Sequence, residues 1–394
     1  MNKIKFISAA LIFLIIVGCT PDSATPSAEV VEDSQVPLNT PSVSTDTPAA
    51  AELNAPLIAE PQLFSIQFMN SLDGWGVTET EVARTNDGGE TWHDVTPDGL
   101  ADVGYSAVTD FMDVNHAWLL VIDPANVPFG GTLYSTSDGG NTWSSFAVPF
   151  SIGFLKFIDE NNGWMMADLG SGAGSMAIAT YQTTDGGANW NRTFTNDTND
   201  DGASDTLPLG GIKQLFVPLN MNTAWIGGVV YETGTVYLYR TDKGGEFWYK
   251  INLELPEEAK NGELSVLQVK LLSDTQGFLA VRFFTTDKSE VLLFFTNDAG
   301  NTWHLAPQRL TGSGLVEAPS ATEVVYYSED QFQITNDGAN TFETITSGTT
   351  FGDAVLDMSF VNASTGWVLT FDEDGHRSLY RTTDGAQTWT VLIP

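Results

Sequence analysis

The chain has 394 residues, of which 50 are Asp or Glu, 16 are Lys or Arg and one is Cys, giving a formal net charge of −34. That charge excludes nucleic acid as a partner and tight adhesion to anionic headgroups, since both need basic patches. The lone cysteine excludes an intramolecular disulfide, a cysteine-built metal site and a dithiol redox pair.

Residues 1–18 read as a signal peptide. Lys3 and Lys5 precede an apolar run from Phe6 to Val17 that is too short to span a bilayer as a helix. The run ends in Ile16-Val17-Gly18-Cys19, which resembles a bacterial lipobox. The resemblance implies cleavage before Cys19, lipid attachment to its sulfur, and a chain held on the extracytoplasmic side of a bacterial membrane. Residues 19–60 are rich in Pro, Ser, Thr, Ala and acidic residues and contain no Lys or Arg. Such a composition cannot bury a core and is expected to be a disordered tether.

From residue 61 to 394 the chain repeats. Seven boxes of the form Thr/Ser-x-Asp-x-Gly/Ala-x-Thr-Trp/Phe carry Asp87, Asp138, Asp185, Asp242, Asp298, Asp337 and Asp384, at intervals of 39 to 57 residues. Six boxes follow a second element, an aromatic or aliphatic residue, a turn, then Gly/Ala-Trp/Phe. Phe68 with Gly74-Trp75, Phe111 with Ala117-Trp118, Phe157 with Gly163-Trp164, and Phe360 with Gly366-Trp367 are examples. The two hydrophobic residues stand seven apart, except that a two-residue insertion separates Phe216 from Trp225. Two copies depart further. The fourth box, Arg240 to Trp248, reads with an extra residue at Lys243, and unit six has Val324-Val325-Tyr326-Tyr327 in place of Gly-Trp.

Each unit therefore predicts four short strands, with Val, Phe, Trp and Thr split by Asp-Gly and Asn-Gly turns. Seven such units predict an all-β fold, a seven-bladed β-propeller of four-stranded repeats. The box has a local mechanical reason. Its Asp accepts hydrogen bonds from the amides that follow, glycine takes the positive-φ positions, and the Trp covers the apolar side of the hairpin. The strand order leaves open whether the ring closes by an interlocked strand.

Box and Gly-Trp element together resemble the BNR or Asp-box repeat proteins. These include sialidases, sortilin-type receptors, some endoglucanases and the photosystem II stability and assembly factor family. The last is the most similar, through the pairing of Asp73-Gly74-Trp75-Gly76-Val77 with a box such as Arg381-Thr382-Thr383-Asp384-Gly385. It implies a propeller over residues 61–394 and says little of function, because unrelated activities share this scaffold. That family's basic, arginine-bearing contact surface is not visible in this acidic chain. Sialidase chemistry implies three convergent arginines, but Arg84, Arg240 and Arg381 belong to the boxes and Arg192, Arg282, Arg309 and Arg377 share no motif. Endoglucanases of this type imply two facing propellers, and this chain has residues for one.

The remaining candidates for chemistry are few. All eleven tryptophans fall in the two repeated elements, so an aromatic subsite is left to Tyr105, Phe129, Tyr181 or Phe351. His93, His116, His304 and His376 have no metal or triad spacing. The segment from Asp197 to Asp205 matches the first half of a calcium loop, with Asp197, Asn199, Asp201 and Asp205 as side-chain ligands and the Ala203 carbonyl as a further oxygen. Its twelfth position is Pro208 where a bidentate Glu belongs, so a bound Ca²⁺ needs an outside ligand or water. Gln67, Asp110, Lys156, Lys270 and Ser359 precede the recurring hydrophobic residue on the inner strands and are candidates to face a partner. No catalytic constellation emerges. The expectation is a surface-anchored, non-enzymatic binding or assembly scaffold for a protein or glycan partner. The alternative is an extracytoplasmic glycoside hydrolase or lyase on the same propeller.

Overall fold

A computed structural model of the chain describes residues 51–105 and 107–394. The signal peptide, Cys19 and most of the expected tether lie outside the described residues. Those described form strands, turns and two short 3-10 turns, Ala259–Asn261 and Gly352–Ala354. No helix among them is long and apolar enough to cross a membrane.

The strands form seven antiparallel four-stranded units. Five are separate sheets. The fourth and fifth are joined into one eight-stranded sheet by a single pairing, Val229 with Ser265. The first strands of the units, in order, are Ser65–Phe68, Val108–Phe111, Gly153–Phe157, Ile212–Pro218, Glu263–Leu271, Leu315–Glu317 and Val355–Phe360. They lie innermost, against first strands of neighbouring units.

The core is divided into clusters, each shared by two successive units. Trp75 and Val77 of unit one meet Phe111 and Leu119 of unit two, and so on round to Trp367 and Leu369 of unit seven, which meet Leu63, Ile66 and Phe68 of unit one. The last and first units thus close a ring by packing whole sheets, with no strand exchanged among the described residues. This is the architecture of a β-propeller.

The Gly-Trp element explains the packing. Phe68 stacks on Trp367 of unit seven at 3.6 Å, Phe111 on Trp75 at 4.9 Å and Phe157 on Trp118 at 3.7 Å, all within 6° of parallel. The repeated aromatic of one unit therefore lies on the Trp of the unit before. The glycine makes room for it, since a Cβ at Gly74 would sit 2.7 Å from the Phe68 ring and one at Gly366 2.3 Å from Phe360. Four of these Trp indoles, those of Trp75, Trp118, Trp164 and Trp367, also donate to the next unit's turn or box, for example from Trp75 to Asp113 O at 2.9 Å and from Trp367 to Gly88 O at 2.8 Å, whereas the buried Trp225 indole nitrogen has no acceptor. Such a stacked pair adds about 0.5–1.5 kcal/mol beyond the area it buries.

The box turns close as hydrogen-bonded loops. In unit one Asp87 Oδ1 accepts the Thr91 amide at 3.0 Å and the Thr85 hydroxyl at 2.8 Å, while Oδ2 accepts the Thr91 hydroxyl at 2.6 Å. Thr85 Oγ1 in turn accepts the Gly89 amide at 2.9 Å, with Gly88 and Gly89 both at positive φ. The Oδ1-to-amide bond recurs at Asp138, Asp185, Asp298, Asp337 and Asp384.

Unit four differs from the sequence expectation in two ways. Thr241 Oγ1 accepts the amides of Lys243 and Gly245, both at 3.1 Å, as Thr85 does in unit one. The box therefore has no inserted residue, and Lys243 stands where the other boxes have Asp. Asp242 is not the turn-capping carboxylate. It accepts Arg240 Nε at 2.9 Å, Thr223 Oγ1 at 3.2 Å and the Tyr249 hydroxyl, so a side-chain network replaces the carboxylate staple. Nor is there an insertion before Trp225. Pro218 pairs with Ala224 and occupies the usual aromatic position, and Phe216 lies two residues back along the same strand.

The packed chain also begins earlier than residue 61. Ala51 N donates to Asn115 Oδ1 at 2.9 Å, and the Pro56–Ile58 stretch adds to the outer edge of unit one, with Asp94 N to Pro56 O and Ile58 N to Trp92 O both 2.8 Å. The two-residue outer strand His93–Asp94 gains a second neighbour from this addition.

Candidate functional site

The five inner-strand candidates come together at one level of the ring. Gln67 pairs with Trp75, Asp110 with Trp118, Lys156 with Trp164, Lys270 with Phe278 and Ser359 with Trp367. Two further residues complete that level, Val217 opposite Trp225 and Glu317 opposite Val325. Each lies eight positions before its partner. That spacing is the signal that finds Glu317 even though unit six has no Trp.

Most of these side chains are spent on the neighbouring unit. Gln67 Nε2 donates to Phe111 O at 3.0 Å. Asp110, buried, accepts Lys156 Nζ at 2.7 Å and Phe157 N at 2.5 Å. Ser359 Oγ accepts Phe68 N at 2.9 Å, and Lys270 Nζ lies 3.4 Å from Glu317 Oε2. The ring is a belt of latches between inner strands.

Its most polarised arc spans units five to seven. Burial pushes the Glu317 carboxyl above its ordinary range despite Lys270, although a quarter of the side chain stays accessible. Asp357, two residues before Ser359, accepts the amides of Ile66 and Met358, both at 2.9 Å. Burial, with the charge of Glu317 adding to it, pushes Asp357 up to about 6. Two carboxyls in this arc thus keep their protons to higher pH than exposed carboxyls do, beside the Lys270 ammonium.

The end of the ring where the first strands begin is unlike the end that carries the boxes. Among the described residues thirteen large hydrophobic side chains are exposed, and eight of them lie at this loop end: Tyr105, Val127, Phe129, Tyr231, Phe284, Leu315, Leu356 and Phe371. Tyr105 and Phe129, both picked out by sequence, are about 60 % exposed there. Phe351 is instead a core residue packed among Tyr327 and Trp389, and Tyr181 is half-buried against Phe150 and Trp190. A cavity of about 620 Å³ lies on the outer rim, between the Leu57–Gln62 stretch and the last strand, Thr390–Ile393, away from the axis.

The acidic loop from 196 to 211 is held from beneath by Lys213. This buried ammonium donates to the carbonyls of Met176, Pro208, Leu209 and Gly211 at 2.8–3.0 Å, and burial lowers it to about 8. Within the loop, Asp197 Oδ1 accepts both nitrogens of Asn199, and Arg192 pairs with Asp200. Among the described residues no three His, Cys, Asp or Glu side chains converge as a metal site.

No family model matches the sequence, and no curated protein sequence is similar to it. Solved structures are similar in fold. A GH74 xyloglucanase from Xanthomonas campestris aligns with a TM-score of 0.53 at 12 % identity, over 86 % of this chain and 55 % of the enzyme, so this chain spans about half of that protein. YCF48 bound to a D1 peptide aligns at 0.49 and 17 % identity, over 85 % of this chain and 98 % of YCF48. A PL25 ulvan lyase aligns at 0.45 and 13 % identity, over 87 % of this chain and 95 % of that one. Identities this low show the fold alone, a β-propeller of four-stranded repeats.

Proposed function

We propose that the protein is a binding scaffold, held by a lipid on Cys19 at the outer face of a bacterial membrane, whose partner docks on the loop end of the ring. The gathering of exposed aromatic and aliphatic side chains at that end carries the reading. Monomeric surfaces seldom concentrate such residues, and loops set on a rigid scaffold are where recognition resides. The latch residues of the inner ring support it as well, since groups already committed to neighbouring strands are poorly placed for turnover. Replacing Tyr105 and Phe129 with Ser is expected to abolish capture of the partner in pull-downs from native membranes while leaving the urea midpoint unchanged. Cys19→Ser is expected to release the protein from membranes, and unchanged partitioning would refute the anchor.

One observation favours a second reading, a glycan-active enzyme. Glu317 and Asp357 sit together near the axis with raised protonation, as an acid and its partner would. Polysaccharide cleavage that is lost in Glu317→Gln would establish that reading and overturn the scaffold.

A further inference from the structure

We infer that the loop end over units six, seven and one is a docking surface for a basic polypeptide segment with apolar anchors; this rests on the scaffold reading. The apolar part is continuous across the ring closure. Tyr105, in the connection leaving unit one, lies 5.2 Å from the Phe64 ring, and Arg377 of unit seven stacks between Tyr105 at 5.9 Å and Phe371 at 5.4 Å. Arg377 also donates to Gln62 O at 3.1 Å, so its guanidinium fixes the two rings in place. Leu356 and Leu315, exposed at the starts of two inner strands, extend the surface toward the axis.

Charge selects the occupant. Glu79, Asp98, Asp102, Asp372, Glu373 and Asp374 are exposed in the turns and connections of units one and seven at this same end. Against them Arg377 is engaged with the rings, and His376 pairs with Asp372 at 3.4 Å. The whole chain adds a net −34. An acidic partner would be repelled on approach, while a Lys- or Arg-bearing segment would be steered in and could set apolar side chains on the rings. Aromatic anchors enclosed by a charged rim are the usual energetic centre of such interfaces.

Labelled peptides of equal length, alternating Leu with Lys, Ser with Lys, or Leu with Glu, test the inference by fluorescence anisotropy against the full-length protein in detergent. The Leu–Lys peptide is expected to bind tightest, and more weakly as salt is raised. Tyr105→Ser with Phe371→Ser is expected to cost it about tenfold in affinity while Ser–Lys binding and the urea midpoint stay as in wild type. Equal loss for both basic peptides, no loss for either, or preference for the Leu–Glu peptide through Arg377 would overturn the inference. None of these outcomes touches the scaffold reading, which is tested separately by capture of the native partner and by polysaccharide turnover.

Discussion

The two ends of the ring obey different rules. At the box end every unit repeats one geometry, with the inner-ring residue always eight positions before its partner and, in six units, a carboxylate capping the turn. At the loop end no common length holds, and connections between units run from three residues at 312–314 to sixteen at 196–211. Repetition marks where neighbouring units must fit together. Irregularity marks where the molecule is free to acquire recognition.

The comparison breaks hardest at the closing interface. Trp367→Ala removes the stack on Phe68 and the bond to Gly88 O where unit seven meets unit one. A fully buried Trp truncated to Ala costs about 3–5 kcal/mol, and with no exchanged strand to hold the ring this variant is expected to lower the urea midpoint sharply. Tyr105→Ser, at the other end, is expected to change stability by less than about 0.5 kcal/mol. Similar losses for the two would mean that the loop end is structural after all.

The carboxylates divide the same way with pH. Amide hydrogen bonds from Thr302 and Thr341 hold Asp298 and Asp337 at about 2. Their folded values lie below the unfolded one, so their stabilisation is present above pH 4 and is lost as pH falls toward 2. Asp357, near 6, has the opposite sign: the folded state holds its proton more tightly, and stability declines as pH rises from 4 through 6. Asp357→Asn is therefore expected to flatten the pH 4–6 slope alone. Asp138→Ala is expected to cost about 1–3 kcal/mol at pH 7 by leaving turn amides unsatisfied and to soften the loss below pH 4. Urea midpoints at several pH values separate the two, and one common slope change would refute the division.

Legibility in the sequence follows this contrast. The box and the Gly-Trp element are local, so their residues announce strand, turn and packing partner together. Glu317 is hidden in the sequence because unit six carries Val325 where the other units have an aromatic residue, although the eight-residue spacing is present. In the fourth box Asp242 suggests a register with an extra residue, whereas the Thr241 hydroxyl sets the actual one. The Ala51–Ile58 stretch has the composition of a tether because it docks through backbone bonds and only a few partly buried apolar side chains, Leu53, Ala55 and Ile58, which leave little trace in composition. Tyr105 and Phe371 lie far apart in the chain and are brought together only through Arg377 across the closure of the ring, so no spacing could reveal that they share a surface.

The smallest effect belongs to the acidic loop between units three and four, where the sequence match and the geometry pull apart. Calcium there would need Asn199 to turn its amide so that the oxygen faces the ion and the side-chain nitrogen releases Asp197, whose Oδ1 now accepts both Asn199 nitrogens. Asp200 is held by Arg192, and the carbonyl of Pro208, at the twelfth position, is held by Lys213. An ion would have to draw together the carboxylates of Asp197, Asp201 and Asp205, which do not converge in the structure, with Asn199 and the Ala203 carbonyl, and without the bidentate Glu that makes such loops tight. Binding is therefore expected in the millimolar range, so that a few millimolar Ca²⁺ adds only about 1 kcal/mol of stability and Asp201→Ala removes it. Calorimetry on both proteins decides: identical titrations would reduce the loop to a diffuse counterion cloud, whereas micromolar binding would mean that it reorganises around the ion and that Lys213 releases Pro208.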